Sequence, residues 1–221
     1  MTCEERRTKI LAGVRKIFAR KGLDGATTRE LAKEAGVSEA LLYKHYRSKE
    51  ALYQAMLTSC GSEFDSELER IKALEPSTST LVLLIHFQVS HMIQFKKGPD
   101  MDILLRLYLR SLTEDGSFAR VANKEKTTKF VPKAEECIKA SIAAGDIEDS
   151  PVPPMIRAIL AYRLAFIMMI NYLPPTPVSD YGMSREKLAE HIVWFVLRGV
   201  GMKEEAIKRH YNPKALALVA A

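Results

Sequence analysis

Between Thr28 and Arg47 the chain reads Thr-Arg-Glu-Leu-Ala-Lys-Glu-Ala-Gly-Val-Ser-Glu-Ala-Leu-Leu-Tyr-Lys-His-Tyr-Arg, an order of residues that few folds accommodate. It predicts two short helices around a glycine. Thr28 can cap the first, over residues 29–35, with Leu31, Ala32 and Ala35 on its inner face. Gly36 ends that helix, because glycine enters the left-handed conformation without a Cβ penalty. Ser38 caps the second, over 39–46. A small residue at the crossing (Ala32), a glycine at the turn and apolar residues locking the pair (Leu31, Val37, Leu42) are what a helix-turn-helix requires.

The rest of the chain also has helical periodicity. Ile10, Leu11, Val14, Ile17 and Phe18 follow the i, i+3, i+4, i+7 rule, predicting a first helix over 4–21 that stops at Gly22, with a turn at Leu23-Asp24-Gly25. Ser48 caps a fourth helix running to about residue 74, ahead of Pro76. Further helices are expected over 80–97, 100–112, 117–144 with a break or restart at Pro132, 154–172, 184–200 and 203–211. Alternating β-branched patterns are absent, so the fold class is all-α: a three-helix N-terminal helix-turn-helix domain over 1–50 and a larger helical domain over 51–221. Residues 76–95 carry no charge, yet nine of them are Ser, Thr, Gln or His, which fits a buried helix better than a membrane span.

Charge is unevenly distributed. Residues 1–55 hold twelve Lys or Arg against seven acids, an excess of five, while the remaining residues carry an excess of one. Such a local surplus suits a polyanion. Cys3, Cys60 and Cys137 are odd in number and lack CxxC spacing, fitting reduced thiols in a cytoplasmic protein rather than a disulfide framework or zinc site. No signal peptide is expected, since charges crowd the first residues of this sequence and no apolar core follows them. An enzyme would need a catalytic constellation, and no GxSxG, P-loop or Gly-rich dinucleotide turn is present. No HExxH pattern occurs either, and no metal or cofactor is expected.

A helix placed in the major groove reads bases with side chains its own core does not use. Here these are Ser38, Glu39, Ala40, Leu41 and Lys44. Lys44 could donate to guanine, Glu39 accept from cytosine, and Ala40 or Leu41 touch a thymine methyl.

From Ile10 to Leu57 the sequence resembles the TetR (tetracycline-repressor-like) family. The resemblance is carried by Thr27-Thr28, Leu31-Ala32, Ala35-Gly36-Val37-Ser38, Leu42-Tyr43, His45-Tyr46, Ser48-Lys49-Glu50 and Leu52. It implies an N-terminal DNA-binding domain and a C-terminal domain that binds a ligand and dimerises. It also implies that Thr28, Tyr43, His45 and Lys49 contact phosphates, while Tyr46, on the Leu42 face, belongs to the core. Leu41 departs from the pattern, standing where the family carries a smaller or polar residue.

Over the remaining three quarters the resemblance is one of layout. The near-uniformly apolar segment 80–95 includes His86, Gln88, His91 and Gln94, polar groups open to a ligand. Candidate pocket residues are Phe87, His91, Arg106, Tyr108, Phe166, Met169, Asn171 and Tyr172, a lining suited to an apolar effector. His86 and His91, five apart, do not share a helical face. The resemblance pairs the last two long helices with their mates in a homodimer, through Ile156, Ile159, Leu160, Arg163 and Ile167 on one and Leu188, Ile192, Phe195, Val196 and Gly199 on the other. A two-fold dimer reading a palindromic operator in double-stranded DNA is the usual solution for a helix-turn-helix. The expected behaviour is a repressor released by its ligand; a ligand that strengthens DNA binding leaves the same sequence signals.

Overall fold

The computed structural model describes residues 3–58, 65–94 and 99–219. Along the chain these form α1 (Cys3–Gly25), α2 (Thr28–Ala35), α3 (Glu39–His45), α4 (Lys49–Thr58), α5 (Asp65–Lys72), α6 (Thr78–Gln94), α7 (Pro99–Thr113), α8 (Ser117–Ala143), α9 (Pro154–Ile170), α10 (Arg185–Gly199), α11 (Glu204–His210) and α12 (Pro213–Val219). The fold is all-α. Among the described residues the only extended pairing is an isolated bridge between Ile147 and Met202. Contacts divide the chain into two compact units, residues 1–62 with 97–125, and residues 63–96 with 126–221.

In the first unit α1 packs on α2, α4 and α7 around Ile10, Val14, Phe18, Leu31, Leu42, Leu52 and Met56. Tyr53 meets Phe18 edge to face at 4.9 Å. The cap of α2 lies one residue earlier than the sequence predicts. Thr27, not Thr28, is extended, and its hydroxyl accepts from the Glu30 amide at 3.3 Å. The Glu30 carboxylate in turn accepts from the Thr27 amide at 3.3 Å, so the spacing to Glu30 closes a capping box on Thr27 and leaves Thr28 as the first helical residue. Gly36 does terminate α2, at φ 67° and ψ 34°.

α1 is kinked at Gly22 (φ 70°) and resumes to Gly25 instead of stopping. The Arg110 guanidinium of α7 accounts for the kink in part: it donates to the Arg20 carbonyl at 2.5 Å, satisfying an acceptor the interrupted helix leaves open. At Gly13 a Cβ would lie 2.8 Å from the Ala35 Cα, so α1 approaches the backbone of α2 at a position only glycine permits.

The second unit is built around α6, which touches α5, α9, α10, α11 and α12. The charge-free stretch is a buried helix, with Leu81, Val82, Leu84, Ile85, Phe87, Val89 and Ile93 all in the core. No described helix is long and apolar enough to cross a membrane. α8 passes through Pro132 without the expected break. Proline costs the helix one hydrogen bond and a carbonyl clash, about 3 kcal/mol. Around it Phe130, Val131, Ala134, Cys137 and Ile138 are buried, and their packing outweighs that cost. The predicted fourth helix is described as α4 and α5; residues 59–64 of that expectation lie outside the described residues, as do 95–97 of the helix expected over 80–97. α12 was not foreseen.

Candidate nucleic-acid interface

α3 is fixed at both ends and along its inner side. The Ser38 hydroxyl accepts from the Leu41 amide at 3.1 Å, Leu42 is buried, and Tyr46 closes the helix in the core as the sequence predicts. Its outer surface is thereby set: Ser38, Glu39, Ala40, Tyr43 and Lys44 are exposed, and Leu41 and His45 are half-buried. Tyr43, 46% exposed, is a large aromatic left to solvent by an otherwise well-packed helix pair.

Two hydrogen bonds gather the residues implied to meet phosphate. The Tyr43 hydroxyl donates to Thr28 Oγ1 at 3.4 Å, and Lys49 Nζ donates to the Ala26 carbonyl at 3.2 Å. Thr28, Tyr43 and Lys49 thus meet at the N-terminus of α2, where free amides and the helix dipole favour an anion. The lysine ammonium has two further protons to offer. Ser48 caps α4, accepting from the Ala51 amide at 3.1 Å. His45 is held beside Tyr46, ring centroids 6.4 Å apart. Nearby, the Lys21 ammonium at 2.6 Å, then the Thr27 hydroxyl, hold the Glu30 carboxyl down to about 2, so this acid stays ionised and its charge is locally balanced.

The effector-pocket candidates are dispersed. Phe87 and His91 line one open cavity of the second unit, together with His86, Ser90 and residues of α5, α10 and α12. His86 and His91 therefore border the same space despite their five-residue separation, because the cavity is lined by a wide stripe of α6 that also includes Phe87, Ser90 and Gln94. Phe166, Met169 and Tyr172 are half-buried, and the Arg185 guanidinium lies 4.3 Å over the Tyr172 ring. Asn171 is engaged in its own loop, accepting from the Ser179 amide at 2.8 Å and donating to the Ser179 carbonyl at 3.1 Å. Arg106 and Tyr108 belong to the first unit, Arg106 ion-paired with Asp102 at 2.7 Å and Tyr108 buried against Phe118. Sequence reasoning left Ser90 and the acids of α5 and α10 off the list; Ser90, one turn beyond His86, was the readable signal.

The dimer candidates divide as well. Leu160, Ile167 and Phe195 are 59%, 60% and 68% exposed, with Ile156 and Gly199 also exposed and Ile159 and Arg163 half-buried. Leu188, Ile192 and Val196 instead pack in the chain's own core, against which α10 lays one edge of its apolar stripe.

Residues 10–56 match the family model described as bacterial regulatory proteins, tetR family. The chain is 31% identical over 123 residues to the nucleoid occlusion factor SlmA of Haemophilus influenzae, a match covering 55% of each chain, so it spans about half of that relative's length. It is 26% identical over 190 residues to the HTH-type transcriptional regulator HbdR of an Aromatoleum species, covering 86% of this chain and 76% of that one. The fold is shared with AibR, solved in complex with isovaleryl coenzyme A and operator DNA: TM-score 0.59, 20% identity, 86% of this chain and 97% of the other. Over residues 10–56 the chain is thus similar to the tetR family of bacterial regulatory proteins, and the likeness to solved structures extends the shared fold to the rest.

Proposed function

We propose that the chain is a sequence-specific DNA-binding transcriptional regulator, a homodimer that represses from a palindromic operator and is released by a small-molecule ligand held in its C-terminal helical domain. The observation that carries the reading is the outer surface of α3. Ser38, Glu39, Ala40, Leu41 and Lys44 are available to base edges, beside Thr28, Tyr43 and Lys49 at an anion-favouring helix N-terminus. Residues 1–50 act as the DNA-binding domain and 51–221 as the effector and dimer domain. AibR, whose fold the chain shares, was solved on operator DNA.

Dimerisation rests on the apolar face of α9 and α10. Leu160, Ile167 and Phe195 are large apolar side chains left to solvent around one groove, with Ile156 also exposed on α9. A second copy supplies an identical patch, as two-fold pairing requires. Ligand release follows from a ligand preferring a dimer geometry unsuited to the two half-sites, weakening DNA binding by its differential affinity.

The test is selection of the bound fraction from randomised duplex DNA, followed by fluorescence anisotropy on the recovered site across a salt series. An inverted repeat with steep salt dependence, bound at least ten-fold more weakly by Tyr43→Ala or Lys44→Ala, is expected. No enrichment and no binding at low salt, with the fold intact by circular dichroism, would overturn the reading.

A further inference from the structure

α5, α6, α10 and α12 enclose an open cavity of about 490 Å³ within the second unit. Phe87, Ala189 and Pro213 give it apolar wall. The charged lining is one-sided: Glu67, Glu186 and Glu190 contribute three carboxylates against the single ammonium of exposed Lys214. In a chain of net charge +6 this is an inverted local balance. Glu190 is paired with Lys187 at 2.8 Å and Glu186 caps the first turn of α10, whereas half-buried Glu67 has no ion pair or hydrogen bond among the described residues.

A second observation is independent of the acids. His86, 7% exposed, lines the cavity, and its Nδ1 has no hydrogen-bond partner. Ser90, one turn further along the same wall, has an unpartnered hydroxyl, and so does Tyr211, whose ring packs 5.9 Å from that of His86. Buried polar atoms are almost always paired, so the two orphans on this wall, His86 Nδ1 and the Ser90 hydroxyl, mark a place where a polar group is missing. Burial pushes the His86 imidazole below its ordinary range, and a neutral imidazole keeps one nitrogen as an acceptor.

We propose that this cavity binds an organic ammonium: an amine with an apolar body lying on Phe87 and Ala189 and its N–H groups donating to Glu67, Glu190 and the His86–Ser90 wall. An ammonium is all donor and no acceptor, matching a lining of carboxylates, a neutral imidazole and a hydroxyl. An anionic ligand such as an acyl coenzyme A meets three carboxylates there. The proposal rests on the reading of this chain as a ligand-responsive regulator for its biological sense, but the site is testable without DNA.

The experiment is calorimetric titration of the full chain with three probes of one shape: phenethylamine, 2-phenylethanol and 3-phenylpropionate. Phenethylamine should bind at least ten-fold more tightly than the other two. Glu67→Gln and Glu190→Gln should each weaken it several-fold, while Glu204→Gln, an equal charge change outside the cavity lining, leaves it unaltered. Equal affinity for the three probes, preference for the carboxylate, or amine binding indifferent to both cavity substitutions would overturn the site. Operator affinity measured alongside separates the two readings. Absence of operator binding by the wild-type chain without amine tells against the regulator and not the cavity; amine binding that leaves operator affinity unchanged keeps the site and removes its regulatory role.

Discussion

Asp146 and Arg157 are both buried in the second unit, and the chemistry that tolerates each differs. Asp146 accepts from the Thr78 hydroxyl at 2.7 Å and from the Arg209 guanidinium, while its own carbonyl accepts from the Lys203 amide at 2.9 Å. One carboxylate thus ties α6, the turn after α8 and α11 together. Arg157 has no carboxylate partner among the described residues; its guanidinium donates to the carbonyls of Val152, Glu148, Val200 and Ser150, at 2.8 to 3.2 Å. Replacing it with methionine leaves four acceptors unpaired, and a loss on the order of 3 kcal/mol is expected in urea unfolding. Lysine should rescue little, because a point charge cannot reproduce the planar fork.

For Asp146, the Thr78 hydrogen bond first and the Arg209 charge next hold the carboxyl below its ordinary value of 3.8. A depressed carboxyl stabilises the fold fully above its unfolded value and loses that contribution as pH falls through the folded one. Asp146→Asn should therefore lower the urea midpoint at neutral pH, with the gap to wild type narrowing only below roughly pH 4. A gap independent of pH down to acid unfolding would show that the charge is not what matters. Neither residue could be read from the sequence. Periodicity reports which side chains are apolar, and it is silent on where carbonyls from three separate segments converge.

At the scale of elements, caps and stripes were legible and close approaches were not. Thr27 shows the limit: the capping residues were recognised, but the choice between adjacent threonines depended on a carboxylate three residues on. Gly13 shows a larger gap, since a glycine inside an amphipathic helix looks like a mere weakness. In the structure it lets α1 settle on the backbone of α2, with Ala35 Cα at 2.8 Å and Glu34 O at 3.0 Å from where a Cβ would be. Gly13→Ala gains about 1 kcal/mol of helix propensity. Against this, overpacking costs about 1–3 kcal/mol, and backbone atoms yield less than side-chain ends. A net lowering of the melting temperature is expected, together with weaker operator binding, because α2 carries the threonine at the phosphate-facing terminus. A stabilised variant with unchanged DNA affinity would show that the helices can separate without cost. α10 makes the complementary point. Its apolar stripe reads as one surface, yet Leu188, Ile192 and Val196 enter the core while Phe195 remains outside. Residues three and four apart give the same periodicity whether an interface lies within the chain or between copies.

At the scale of the molecule, the N-terminal reading was carried by short-range signals confined to some fifty residues, whereas the effector half depends on which distant segments meet. This is why Glu67 and Glu190, brought to one cavity from α5 and α10, left no trace along the chain. The proposed dimer can be tested apart from folding because its central residues are exposed within one chain. Phe195→Glu, at a position 68% exposed, leaves the monomer's core untouched and places like charges face to face across a two-fold axis. Sedimentation should show the wild type as a dimer and the variant as a monomer, with an unchanged helical signal. A monomer neutralises half as many phosphates, so the slope of log affinity against log salt should fall to about half. A variant that remains dimeric and binds the operator as the wild type does would move the interface elsewhere. A monomer that keeps the full slope would mean that two-fold pairing contributes nothing to DNA reading.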